Sequence, residues 1–263
     1  MTPDAAQQAA DLIWTHWREG RRLAALPEGL RPATRAEGYA VQAGLERRSG
    51  GPLRGWKIAA TSAAGQAHIG VDGPLAGRLL AETVFPEGAT LPFGANAMRV
   101  AEPEFAFRMA RTLPPRAEPY AQPEVLAAVA ALHLAIEVPD SRFEDFATAG
   151  GPQLIADNAC AHQFVLGPEV RAADWRGLDL AAHRLSIAAA GRPGHEGQGA
   201  NCLGDPRIAL TWLVNELSRH GIALGEGQVV TTGTCAVPLP IRPGDRITAE
   251  FGALGRVTLG FTE

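Results

Sequence analysis

The sequence predicts an α+β protein, with helices collected at the N-terminus and a mixed, β-rich body behind them. Three observations carry this. Apolar residues recur at helical spacing through the first fifty positions. After about Gly77 the pattern changes to a series of short strand-like runs. The chain then closes on two alternating segments separated by Gly252 to Gly255, which read as a hairpin with one buried face. The expected division is residues 1–76, helical but carrying one strand, and residues 77–263, the β-rich core. A chain of 263 residues that is 46% apolar can bury both in one compact unit.

From Asp4 to Arg18, Ala5, Ala9, Leu12, Ile13 and Trp17 make one helical face, and Gly20 offers a stop. Thr34 and Glu37 form a capping-box pattern for a second helix that ends by Gly50 and Gly51. Arg54 to Ala60 reads as a short strand holding Lys57, Thr61 to His68 as a short helix, and Gly70 to Gly77 as a glycine-rich connection. Strands are expected at Arg78 to Phe85, Ala97 to Ala110, Ala131 to Val138, Ala161 to Leu166 and His183 to Ala190, with a short helix at Pro123 to Ala130. Asp205 and Pro206 supply an N-cap and an N1 proline, and Ile208, Trp212, Leu213 and Leu217 stripe the helix that runs to Gly221. Arg246 to Phe251 and Arg256 to Phe261 are the closing hairpin.

Several function classes are disfavoured by composition. A net charge of −4 with no Lys/Arg run argues against nucleic acid as a partner. The N-terminus lacks the basic start and apolar centre of a signal peptide, and no run is long enough to span a membrane, so a soluble cytoplasmic protein is expected. Cys160, Cys202 and Cys235 are odd in number and widely spaced, which predicts reduced thiols and no zinc knuckle.

The segment Met98 to Phe107 draws attention because Glu102 and Glu104 stand two apart in a strand-like run. At about 3.3 Å per residue their carboxylates share one face about 7 Å apart and repel unless water, protonation or a cation intervenes. Either they are a solvent-facing pair on an edge strand, which Pro103 suits, or they hold a metal. Glu137 tips the balance, since it closes the apolar run from Ala131, where an unpaired acid is costly. Three carboxylates without a Cys or His cluster suit a hard ion, Mg²⁺ or Mn²⁺. Lys57, amid apolar neighbours, either snorkels to solvent or joins this site. Asp157 and Asn158 read as a turn, and Thr234 as a strand end after Gly233.

Lys57 in Gly-Trp-Lys-Ile-Ala, the Glu-Pro-Glu of 102 to 104, Glu137 in Ile-Glu-Val-Pro-Asp-Ser-Arg, Ile155-Ala-Asp-Asn-Ala159, Gly233-Thr-Cys235 and Pro243-Gly-Asp-Arg-Ile247 occur in an order that resembles the fumarylacetoacetate hydrolase superfamily, in its hydratase/decarboxylase branch. The resemblance spans the chain from about Thr34. It implies a mixed sheet rolled into a barrel-like core. It also implies a metal held by Glu102, Glu104 and Glu137, catalytic roles for Lys57 and Asp157, and substrate contacts from Asn158 and Thr234. The activity it implies is metal-dependent addition of water to a 2-hydroxy-2,4-dienoate, with decarboxylation of a 4-oxalocrotonate-type acid or carbon-carbon hydrolysis as alternatives. A catalytically silent partner subunit is a further reading, which the intact acids and lysine disfavour. His16-Trp-Arg-Glu19 matches the letters of the hydrolytic branch's dyad but lies in the first helix, and is read as coincidental. A homo-oligomer is expected, both from the resemblance and because the amphipathic helices leave apolar surface to place.

Overall fold

A computed structural model describes residues 1–171 and 175–263. In chain order the first half comprises α1 (Pro3–Glu19), α2 (Arg35–Arg48), β1 (Gly55–Ala59), α3 (Ala63–His68), β2 (Leu75–Leu79), β3 (Val84–Pro86), β4 (Thr90–Leu91), β5 (Val100–Met109), α4 (Gln122–Leu126) and β6 (Val129–Val138). The second half comprises α5 (Gly151–Ala156), β7 (Gln163–Glu169), β8 (Arg184–Ala189), β9 (His195–Gln198), α6 (Pro206–Arg219), β10 (Val229–Thr231), β11 (Leu239–Pro240), β12 (Arg246–Glu250) and β13 (Arg256–Phe261). The larger sheet runs β2-β1-β10-β5-β6-β7-β3, with β11 also paired to β5, and the smaller runs β4-β13-β12-β8-β9. The fold is α+β, and the larger sheet curls into a half-barrel.

Alternation along β5 and β6 decides how the layers pack. Phe105 and Phe107 point to the face that meets the smaller sheet, Phe105 edge-on to Phe251 at 5.3 Å and Phe107 tilted against Trp175 at 5.8 Å. Leu132, Leu134, Ile136 and Val138 of β6 join the same core. The other face of both strands carries the acids and a smaller apolar cluster of Leu79, Ala106, Ala135, Phe164 and Val229. Buried apolar matter therefore lies on both sides of these strands.

The helices form for the reasons read from the sequence, with two differences. Thr2 caps α1 through Ala5 N at 3.2 Å, and Gly20 ends it at φ +65°. Thr34 caps α2 through Glu37 N at 3.2 Å, but the Glu37 carboxylate returns to Ala33 N at 2.7 Å, one residue before the strict box. Ser49, at φ −63°, follows the last turn of α2, so Gly50 and Gly51 lie beyond its end.

The expected Gly70 to Gly77 connection is shorter, because Leu75–Leu79 is strand and pairs antiparallel with the whole of β1. Gly77 and Arg78 disguise it. Arg78 is buried in the strand because Glu46 and Gln42 pair its guanidinium. A boundary at residue 76 thus falls inside β2, and the strand bearing Lys57 belongs to the large sheet. The helix expected at Pro123 to Ala130 stops at Leu126, since β6 begins at Val129. Among the described residues only Met1, Ile208 and Val237 are exposed large hydrophobics, so the unplaced apolar surface invoked for self-association is not there. No helix among them is long and apolar enough to cross a membrane.

The first helix is pinned to the β-rich body at one polar contact. Trp17 Nε1 donates to His162 Nδ1 at 3.0 Å, and the Arg142 guanidinium lies over the Trp17 ring at 4.3 Å. Burial, then the charges of Arg142 and Arg22, hold the His162 imidazole down at about 3. The unfolded chain takes up this proton near pH 6.5 and the folded chain does not. The contribution is therefore complete above about pH 6.5 and shrinks on acidification, by up to about 1.4 kcal/mol per pH unit. His162→Asn keeps an acceptor but does not titrate, and is expected to lose less stability than the parent between pH 7 and pH 5. Urea unfolding at both pH values measures this, and identical acid sensitivity of the two proteins refutes it.

Candidate active site

Sheet register brings the three acids together. Glu102 pairs across the strands with Glu137, and Glu104 with Ala135, so all three side chains project from one face of β5 and β6. One carboxylate oxygen from each lies within 4.8 Å of the others. Pro103 had suggested an edge, yet β5 is a central strand. β10 pairs with Ala106 to Arg108 and β11 with Val100 and Ala101, leaving a gap between them. The Pro103 carbonyl accepts from Cys235 N at 2.9 Å on that side, so the missing N–H falls where no ladder partner stands. The loop that departs there, residues 232 to 238, walls the site.

Each acid is held differently. Glu104 Oε2 accepts from Gly233 N at 2.8 Å and from the Thr231 hydroxyl. Gly233 has φ +104°, and a Cβ there would stand 2.2 Å from Thr61 Oγ1, so glycine is required for this approach. Lys57, from β1, stands 2.9 Å from Glu137 Oε1 and donates to the Ala159 carbonyl at 3.0 Å. Only 3% of Lys57 is exposed, which excludes the snorkelling alternative. Glu104 Oε1 and Glu137 Oε2 are buried with no hydrogen-bond partner.

Electrostatics follow from this crowding. Burial, then the charge of Glu137, raises Glu102 to about 7 and lifts Glu104 well above the usual carboxylate range. Burial also raises Glu137, against the opposing pull of Lys57. Burial works against the Lys57 ammonium, but Glu137, Glu102 and Glu104 together hold it above its ordinary value. A cluster of hard oxygen donors, two of them otherwise orphaned, fits a divalent cation, which favours the ionised acids.

Lys57 and Glu102 line the inner end of a cavity of about 810 Å³, with Glu104 and Glu137 behind them. Lys57, Glu102, Thr61, Asn201 and Thr234 supply polar wall, and Ile69, Met98, Val100, Phe146 and Val237 supply apolar wall. The Cys160 thiol also lines it, and burial followed by the charge of Asp157 pushes it up to about 12, so it stays protonated.

Residues 74–261 match the family model for the fumarylacetoacetate (FAA) hydrolase C-terminal domain. The chain belongs to the fumarylacetoacetate hydrolase family. Within it, the chain is 31% identical to a 2-keto-4-pentenoate hydratase of Paraburkholderia xenovorans, over 99% of this chain and 96% of that one. It is 33% identical to a 2-keto-4-pentenoate hydratase of Burkholderia vietnamiensis, covering 93% and 92%. Among solved structures it resembles 4-oxalocrotonate decarboxylase from Pseudomonas putida G7, complexed with magnesium and adipate, at a TM-score of 0.89 and 27% identity, covering 99% and 98% of the two chains.

In this family member the expected residues separate into two groups. Lys57, Glu102 and Thr234 line the cavity, and Glu104 and Glu137 lie directly behind it. Asp157 and Asn158 do not reach it. Asp157 Oδ2 accepts from Ser141 Oγ at 2.7 Å and Arg142 N at 3.0 Å, and Oδ1 from Arg142 Nε at 2.5 Å. Asn158 clamps the β2 backbone, accepting from Arg78 N at 2.6 Å and donating to Arg78 O at 2.8 Å. Asn158, Ala159 and Cys160 all have left-handed φ, +57°, +49° and +60°. This turn aims the Ala159 carbonyl at Lys57. His16 and Glu19 are occupied elsewhere, with Leu12 O and Arg21 respectively.

Sequence reasoning passed over Asn201, Phe146 and Val237 as cavity residues and Arg142 as organiser. Asn201 Nδ2 anchors the wall by donating to Cys235 O at 2.8 Å. Removing the clamp by Asn158→Ala is expected to cost about 1–3 kcal/mol of stability. Turnover per folded molecule should fall at least about tenfold as Lys57 loses its fixed acceptor, with Mg²⁺ affinity unchanged. Undiminished turnover beside a lowered melting temperature would show that the turn does not position Lys57.

Proposed function

We propose that this protein is a hydro-lyase that adds water to a 2-hydroxy-2,4-dienoate of the 2-keto-4-pentenoate type and forms a 4-hydroxy-2-oxo acid. The observation that carries the reading is one buried ammonium, Lys57, set beside three clustered carboxylates at the closed end of a cavity. Full-length similarity to 2-keto-4-pentenoate hydratases supports the same chemistry. Glu102, Glu104 and Glu137 would hold Mg²⁺ or Mn²⁺. Such an ion supplies charge stabilisation where negative charge grows on the carboxylate and adjacent oxygen of the substrate.

The chain's own groups do the rest. Hydration moves the enol proton to the far carbon C5, then delivers hydroxyl to C4 and a proton to C3, so the sum is one water added. Lys57 is the sole Lys or Arg among the cavity-lining residues. Fixed by Glu137 and Ala159 O, it stabilises the enolate or holds and moves a proton at the inner end. Thr234, on the wall, would turn its hydroxyl from Ala236 O, to which it donates at 2.7 Å, to hydrogen-bond the substrate carboxylate. Asp157 and Asn158 act as positioning residues through Arg142 and the left-handed turn.

Decarboxylation of a 4-oxalocrotonate-type acid is the second reading, favoured by the fold similarity to that decarboxylase. Incubation with 2-hydroxypenta-2,4-dienoate and with 2-oxohex-3-enedioate separates the two. Loss of dienol absorbance in the first without CO₂ from the second is expected, and the converse sinks the hydratase reading.

Two substitutions test the assigned roles. Lys57→Met should lower turnover by about 10²–10⁴-fold and leave Mg²⁺ affinity equal or higher, with no rescue by excess ion. Glu104→Gln keeps an oxygen for Thr231 and Gly233 but removes a charge. Its Mg²⁺ affinity should fall by at least the roughly 10–100-fold seen on losing an outer-shell partner, and excess ion should partly restore turnover. Calorimetric Mg²⁺ titration with steady-state rates reads both. Normal turnover in the first variant, or normal ion binding in the second, removes that residue from its role.

A further inference from the structure

The lysine and glutamates of the cavity are gathered in one place. The inner end holds Lys57 and Glu102, with Glu104 and Glu137 buried behind them. The more exposed wall is mainly apolar, with Ile69, Met98, Phe146 and Val237, and carries the exposed Ser62, His68 and Asn201 among them. Val237 is 67% exposed, one of three large apolar side chains so placed among the described residues, and of those three it alone lines the cavity. An exposed apolar side chain that lines a cavity offers a surface for an apolar group of a ligand to cover.

Size points the same way. Cavities of roughly 300–1,000 Å³ take drug-sized ligands, and this one measures about 810 Å³. A five-carbon dienoate docked by its carboxylate at the Lys57 end leaves the outer wall uncovered. Charge sets a further limit. The one ammonium of the lining stands 2.9 Å from Glu137, so it has no freedom to serve a second anion at the mouth. His68, the other basic group of the lining, is exposed, with its ring edge-on to Phe146 at 5.7 Å.

We propose that the outer cavity is a subsite for an uncharged apolar substituent, a short alkyl chain or an aryl ring, at the far end of the dienoate, and that it rejects a second carboxylate. Val237 and Phe146 are its specificity-determining residues. The assignment rests on the proposed reading that a 2-oxo or 2-hydroxy acid head group docks beside Lys57.

Binding without turnover tests it. The Mg²⁺-loaded protein is titrated calorimetrically with 2-oxopentanoate, 2-oxohexanoate, 2-oxooctanoate and 2-oxohexanedioate. Affinity is expected to rise about two- to fourfold per added methylene. The dicarboxylate should bind at least about tenfold more weakly than 2-oxohexanoate, because its second charge would lie against Phe146 and Val237 with no Lys or Arg in the lining except the engaged Lys57. In Val237→Lys, whose exposed position should leave the melting temperature unchanged, the gradient should flatten and the dicarboxylate should gain. A flat series in the parent, or a dicarboxylate that binds as tightly as 2-oxohexanoate, overturns the subsite even if dienoates are hydrated. A steep gradient with no hydration of any 2-hydroxy-2,4-dienoate keeps the subsite and removes the hydratase reading. Failure of all four acids to bind removes the head-group site on which both rest.

Discussion

Three carboxylates share one buried neighbourhood with a single ammonium, and the surrounding structure is arranged about that imbalance. With every group ionised, three negative charges face one positive, an excess of two. Like charges about 4 Å apart repel by about 4 kcal/mol per pair at an effective dielectric of 20. Protonation relieves this in the protein alone, and the raised Glu102, Glu104 and Glu137 express it. A divalent cation held by the three acids would relieve it differently, by cancelling both excess charges, and the unpartnered oxygens of Glu104 and Glu137 fit such an ion. Breaking the ladder at Pro103 belongs to the same arrangement. Where β10 leaves and β11 has not begun, Gly233 can turn its N–H onto Glu104.

Lys57 needs a fixed position as much as the acids do, and backbone strain supplies it. Three successive non-glycine residues with left-handed φ are unfavourable by about 1–3 kcal/mol each. The turn is braced on both sides. Asp157 is tied to Ser141 and Arg142 before it, and Asn158 grips both backbone groups of Arg78. A Cβ at Gly77 would stand 2.3 Å from Asn158 O, so β2 can approach this closely only with glycine there. Arg142 extends the brace to α1 through Trp17. The N-terminal helix thereby supports the lysine without touching the cavity.

Legibility in the sequence followed the range of the interaction. Strand periodicity alone puts Glu102 and Glu104 on one face, and an acid ending an apolar run singles out Glu137; the register then joins them. Caps at Thr34 and Asp205 are equally local and appear as read. The resemblance implied a catalytic role for Asp157 and a substrate contact for Asn158, and a polar pair in a turn carries no sign of which way it faces. Only the pairing of β2 with β1 and the path of Arg142 decide that, and both are tertiary. Leu75–Leu79 was hidden for a related reason: Arg78 looks like surface until Glu46 and Gln42 are seen to pair it. Val237 gave no signal because an exposed valine in a loop is ordinary until a cavity is found beside it.

The two ends of the cavity have different structural origins, and this bears on how chemistry and selectivity can vary separately. Glu102, Glu104, Glu137 and Lys57 sit on hydrogen-bonded strands, where a one-residue slip would turn each to the opposite face. Ile69, Phe146 and Val237 come from three segments distant in sequence, all outside the helices and strands. Their side chains can change without altering the register that assembles the acids. Water addition to a dienoate and loss of CO₂ from a 4-oxalocrotonate-type acid pass through the same kind of dienolate, so both reactions can use one inner end. The two substrates differ in the charge they carry away from the shared 2-oxo acid, and in this chain the lining away from Lys57 and Glu102 is mainly apolar.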